Sequence, residues 1–214
     1  MDLGFHIDPK ATSAEALQTS TFNKAIQVLE SNGFYLVSQR LVQHYHKDTK
    51  RPLTEQESKK VPSYNIFNLY VDPIVDHVTP QIAQVLKINP IDEPLLAQVF
   101  EKKRYKTINA FGVNLMLPNA EVLLATKINS VLKRQKDHKR IKDVADIYAL
   151  IWHSGTRTPV LRDELSHILD EEQIKDVLSQ LTEQDYEVAA NALGVKKDEL
   201  SMVIESFLPT SRNI

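Results

Sequence analysis

Between Pro118 and Trp152 the sequence reads as two amphipathic helices joined by a short basic turn. In the first, Val122, Leu123, Ala125, Ile128, Val131 and Leu132 recur at helical spacing, with Pro118 and Asn119 as the start signal. In the second, Ile141, Val144, Ala145, Tyr148, Leu150 and Ile151 form the apolar stripe, and Lys142, Asp143 and Asp146 lie on a different side of the same turns. Each helix therefore has one apolar and one charged face. The polar set Glu121, Lys127, Arg134, Arg140, Lys142, Asp143 and Asp146 mixes both signs. That mixture is wrong for a plain nucleic-acid patch and suits a phosphate held against ordered carboxylates. It equally suits a solvated face laced with salt bridges.

The rest of the composition removes whole classes of chemistry. Zero cysteines exclude disulfides, thiolate catalysis and zinc–cysteine sites. Five glycines form neither a GxxxxGK[ST] nor a GxGxxG pattern, so P-loop and Rossmann nucleotide binding are unsupported. No GxSxG nucleophile turn is present. A formal charge of -2, from 26 Lys and Arg against 28 Asp and Glu, points to no partner in bulk. No apolar run reaches bilayer length and the N-terminus lacks a secretory signal, so the expectation is a cytoplasmic protein without membrane contact. The 214 residues are enough for a real core and for two units.

Residues 2–8, DLGFHID, alternate polar and apolar side chains as a short strand that carries Asp2 at its start and ends at Pro9. A strand begun so abruptly leads us to expect an upstream element. A Ser/Thr-rich start leads into a helix over Thr19 to Asn32, with Phe22, Ala25, Ile26 and Leu29 on one face and Gly33 as the stop. Residues 34–46 read as a strand, and 47–63 as a mobile loop or short surface helix. Ile66, Leu69, Tyr70 and Val71 predict a buried strand that ends at Asp72, because Pro73 cannot continue a central ladder. Residues 95–117 predict two or three antiparallel strands. Beyond Gly155 the apolar positions fall at helical spacing only, predicting three or four short helices, with Thr182 and Asp185 marking one start and Gly194 a break. The expected fold class is thus α+β, with an α/β domain over 1–154 and a helical bundle over 155–214.

Three pieces in this order resemble the AbiEii/AbiGii toxin family of the polymerase-β-like nucleotidyltransferase superfamily. They are a DL pair on an opening strand, a core strand reading VDPIVDHVTP, and a helix pair reading EVLLATK followed by RIKDVADI. The resemblance covers residues 1 to 152, and the last two pieces are its most specific parts. It implies a mixed sheet with flanking helices and transfer of a nucleoside monophosphate from an NTP to a hydroxyl acceptor, tRNA, another RNA or a protein. Magnesium is the implied cofactor and a cognate antitoxin the implied partner. Nucleotidyl transfer attacks an α-phosphate and calls for acids that hold metal ions about 4 Å apart. By motif, Asp2 and Asp72 become metal-binding catalytic acids, Asp76 shapes the turn after Asp72, and Lys127 meets the triphosphate or the acceptor. Arg134, Arg140, Lys142, Asp143 and Asp146 become substrate-binding and supporting residues.

The family's paired acids are incomplete in this sequence. Asp2 is either the second acid, with its partner and an Arg-x-Thr upstream of Met1, or the first, with Gly4 in place of the second. The glycine-rich helix start that holds terminal phosphates has no counterpart. A catalytically degenerate binder of nucleotide, RNA or antitoxin is the alternative expectation. Two weaker features remain. His44 and His46 share a strand face and, with His77, give a metal-ligand reading without an adjoining carboxylate cluster. The run Lys133, Arg134, Lys136, Lys139, Arg140 and Lys142 reads as a solvated turn or as RNA phosphate contacts.

Overall fold

The computed structural model describes residues 2–8, 13–110, 112–134 and 136–207, with Asp2 described by its backbone alone. The chain is a mixture of helices and strands and divides into two compact units, Met1–Phe100 and Glu101–Ile214.

The first unit is built on a mixed six-stranded sheet. Its strands are β1 (Asp2–Phe5), β2 (Tyr35–Val37), β3 (Arg40–His46), β4 (Pro52–Leu53), β5 (Ile66–Val75) and β6 (Ile91–Asp92). The order is β1-β5-β3-β2, with β4 on β3 and β6 on β5. β3 runs antiparallel to the first part of β5, pairing His46 with Ile66 through Leu41 with Val71. β1 and β6 run parallel to its last residues. The helices are α1 (Ala14–Thr19), α2 (Thr21–Ser31), α3 (Glu55–Ser58), α4 (Pro80–Leu86) and α5 (Leu96–Phe100), with a 3-10 turn at Ser63–Asn65.

Local chemistry explains most of these boundaries. Ser20 ends α1 and its hydroxyl accepts from the Asn23 N–H to start α2. After α2 the chain turns at Gly33, whose φ of 88° favours glycine and where a Cβ would lie 3.0 Å from Gln43 Nε2. α3 carries a capping box between Thr54 and Glu57. Leu17, Phe22 and Ile26 from α1 and α2 then pack with Leu41, Val71 and Val75 of the sheet as the core of the unit. Phe5 meets Phe22 edge to face, with ring centroids 5.3 Å apart.

Two expectations for this unit change. Residues 34–46 are two strands and not one, because Ser38 takes a left-handed turn at φ 58° and folds β2 back on β3. β5 does not end at Asp72 but runs through Pro73 to Val75. Pro73 falls between Val71, the last residue paired with β3, and Ile74, the first paired with β6, so no ladder bond is lost on that side.

The second unit opens with an antiparallel hairpin, β7 (Tyr105–Ala110) and β8 (Val113–Pro118). The segment 95–117 thus supplies this hairpin, while its first residues form α5 instead of a strand. Six helices follow: α6 (Ala120–Val131), α7 (Asp137–His153), α8 (Thr158–Ser166), α9 (Glu171–Ser179), α10 (Glu183–Leu193) and α11 (Lys197–Glu205). α6 and α7 pack on each other, and Val122, Leu124, Ile128, Val144, Ile147 and Ile151 on them are buried. Each such side chain withdrawn from water stabilises by about 1.5–3 kcal/mol. Leu123 and Leu150, assigned to the core stripes from sequence, are only partly buried, and Leu124 and Ile147 take the central places.

α10 begins with the Thr182–Asp185 capping box and ends at Gly194 with φ 71°. The four helices α8 to α11 pack on the pair, α8 and α9 against α6, α10 and α11 against α7. For that reason the 154/155 position, where composition shifts, falls inside one compact unit, and the boundary between units lies at 100/101.

Candidate functional site

Each unit holds one cluster of the residues singled out from sequence. In the first, β1 and β5 lie side by side and parallel, and the register sets Asp2 opposite Asp72 and Gly4 opposite Ile74. Two acids distant in sequence are thereby cross-strand neighbours on the same sheet. The Asp72 side chain is 16% exposed and is gripped at both oxygens by Arg40 of β3, Nε to Oδ1 at 2.8 Å and an Nη to Oδ2 at 2.7 Å. Such a fork-to-fork pair is among the stronger charge-assisted contacts. The Arg40 guanidinium also lies 4.8 Å from the centroid of the Tyr70 ring.

Asp76 is buried just past the end of β5. It accepts from the Ile7 backbone N–H at 2.9 Å and bonds His6 Nδ1, tying the exit of β1 to the exit of β5. Its place is the turn just past Val75, at the end of β5.

In the second unit, Asp143 of α7 is the centre. It is buried, and its carboxylate receives Lys127 Nζ at 3.1 Å, Ser130 Oγ at 3.1 Å and Arg134 Nε at 2.6 Å. Asp146, one turn on, takes the same lysine at 2.6 Å. Burial pushes the Asp143 carboxyl up, but the hydrogen bonds from Arg134 and Lys127 outweigh it and hold the group below the usual carboxylate range. Burial likewise pulls the Lys127 ammonium down, and the bonds to Asp146 and Asp143 carry it above the ordinary lysine value. Lys127 is thus an ammonium held between two carboxylates.

Arg140 is not part of this cluster. Its guanidinium bonds both oxygens of Asp185 in α10, at 2.8 and 2.7 Å, and pins the capping box to α7. Lys142 is exposed, as are Lys133, Lys136 and Lys139, so the basic run is largely a solvated surface with Arg134 and Arg140 turned into ion pairs.

Beside Lys127 and Asp146 lies a cleft of about 480 Å³, walled by Leu117, Pro118, Leu123, Ala149 and Leu150, with Lys106, Asn119 and His153 also on its lining. A second groove, of about 400 Å³, shares Lys106, Asn119 and Ala120 with it and adds Lys102, Lys103 and Arg104. Both volumes are in the range of small-molecule sites. Sequence reasoning missed Arg40, Ser130 and these groove residues. Arg40 is found only once β3 is known to pair with β5, and the lysines give no periodic or motif signal.

Among the described residues, no group of three or more His, Asp or Glu side chains is placed to hold a metal ion. Of the expected pair, the described donor is Asp72 alone, and its oxygens hold Arg40; the described residues do not by themselves fit a magnesium ion. The histidines do not converge on a site either. His44 bonds Asn68 and His46 accepts from the Asp48 N–H. No helix among the described residues is long and apolar enough to cross a membrane. Comparison of the chain with family models, curated proteins and solved structures found no match.

Proposed function

We propose that the chain is a nucleotidyltransferase-like protein of the AbiEii/AbiGii toxin kind, transferring a nucleoside monophosphate from an NTP to a hydroxyl acceptor. The observation that carries the reading is the β1–β5 register, which makes Asp2 and Asp72 cross-strand neighbours on parallel strands. In the reaction the acceptor oxygen bonds the α-phosphorus and the bond to the β-phosphate oxygen breaks, releasing pyrophosphate. Magnesium is the cofactor this reading calls for; Asp72 together with Asp2 would hold it, and it would supply charge neutralisation on the phosphates. The acceptor is tRNA, another RNA or a protein hydroxyl, and a cognate antitoxin is the partner.

A second reading, a non-catalytic binder of nucleotide, RNA or antitoxin, is favoured by the Arg40 clamp on both Asp72 oxygens. Incubation with labelled NTPs, Mg²⁺ and total tRNA separates the two. The transferase reading expects a labelled product that falls by about 100-fold or more in Asp72→Asn, the scale of removing a group that stabilises the transferring phosphoryl charge. Label no higher with the native chain than with the variant leaves the binder.

A further inference from the structure

The phosphates of an NTP need positive charge that is not already spent. At Lys127 it is spent: Lys127 and Arg134 face Asp143 and Asp146, two cations against two carboxylates, in direct contact. A triphosphate brought there would compete with two carboxylates for one ammonium. Next to this cluster the balance differs. In the adjoining groove Arg104 takes up both acids, Glu164 at 3.0 Å and Glu121 at 3.6 Å. Lys102, Lys103 and Lys106 line the same groove and form no ion pair among the described residues. Four cations against two carboxylates leave this concave surface with a surplus of two positive charges, carried by exposed ammonium groups.

The groove floor adds donors. Ala120 and Glu121 open α6, a helix of 12 residues, and the Asn119 side chain makes no capping bond to them. Asn119 lines both the groove and the cleft. The first N–H groups of a helix left uncapped beside unpaired lysines favour an anion. From there the cleft continues, its wall changing from lysine to Leu117, Pro118, Leu123 and Leu150. An apolar slot running into a cationic groove matches a molecule with a flat ring at one end and several phosphates at the other.

We propose that Lys102, Lys103 and Lys106 are the phosphate-binding residues for a nucleoside triphosphate whose base enters the cleft beside Leu117 and Leu123. Lys127 is then a positioning residue, holding the α6–α7 wall of the cleft through Asp143 and Asp146, and not the phosphate contact. This deepens the nucleotidyltransferase reading but does not need catalysis, so the two fail separately.

The test is nucleotide binding by the full chain, followed by calorimetry and by fluorescence of Trp152, the single tryptophan, which stacks on Tyr148 next to the cleft residue His153. The four NTPs, adenosine and inorganic tripolyphosphate are titrated in turn into the native chain and into Lys102→Gln/Lys103→Gln/Lys106→Gln. All three positions are exposed, so the substitutions remove no buried side chain. At least one NTP should bind the native chain, adenosine far more weakly, and the triple variant should lose about tenfold or more in NTP affinity. Added salt should weaken the native complex and leave the variant's nearly unchanged. Equal NTP affinity in both proteins, adenosine binding as tightly as an NTP, or no NTP binding to the native chain at millimolar concentration overturns the assignment. Lysine-dependent binding without nucleotide transfer upholds it and sinks only the transferase reading. Transfer with unchanged affinity in the variant does the reverse.

Discussion

The residue that says most about how this chain uses its charges is Asp185. Arg140 beside it, with the Thr182 backbone and hydroxyl, outweighs the burial that would raise it and holds its carboxyl down to about 2. A carboxyl depressed in the folded state adds stability that is fully present above its unfolded value of 3.8 and is lost as pH falls through about 2. Asp185→Asn should therefore cost about 2 kcal/mol at pH 7, a deficit that shrinks below about pH 4 and disappears near pH 2. Urea unfolding across that range measures it; a deficit constant with pH would show that the ion pair is not its source. The partners here span very different sequence distances. Thr182 and Asp185 are three apart and readable as a start signal, whereas Arg140 lies 45 residues away. For that reason Arg140 is assigned from sequence to a substrate and is found instead holding a helix cap.

At the scale of elements, α6 and α7 are joined twice, by a buried apolar seam and by the network on Asp143. Asp143→Ala takes the carboxylate from Arg134, leaves Ser130 only the Lys127 carbonyl and Lys127 only Asp146, and should lower stability by about 3 kcal/mol. Asp146→Ala, at the exposed end of the same network, should cost less than about 1 kcal/mol. Chemical unfolding of both variants checks the order, and equal losses would contradict it. These two helices were legible because their apolar period is long and their carboxylates recur at i and i+3. The β2–β3 hairpin was not, since its turn uses Ser38 at φ 58° where glycine or asparagine is the usual signal. β5 was read as too short for a related reason: a proline excludes a strand only where its N–H would have a partner, and Pro73 sits where one edge is vacant.

At the scale of the whole molecule there are two cores, one under each compact unit, and the lone tryptophan reports on the second. Phe22→Ala removes a fully buried ring from the first unit and should destabilise it by about 4 kcal/mol while leaving the Trp152 unfolding transition in place. Leu124→Ala should shift that transition directly, by about 3 kcal/mol. If Phe22→Ala moves the tryptophan signal as far as Leu124→Ala does, the units unfold as one. The change of composition near Gly155 does not mark where one core gives way to another: strands already stop at Pro118, and the helices after Gly155 pack on α6 and α7.

The account turns on whether Asp72 belongs to a reacting site or is only an anchor for Arg40, and that ion pair can be broken from either end. Nucleotide transfer to RNA is measured for Asp72→Asn and Arg40→Gln beside the native chain, with folding of both variants checked by circular dichroism. Loss of transfer in Asp72→Asn, with Arg40→Gln retaining it within about tenfold, is the result expected of a carboxylate that acts on the phosphates. Equal loss in the two variants would reduce the pair to a salt bridge of the sheet.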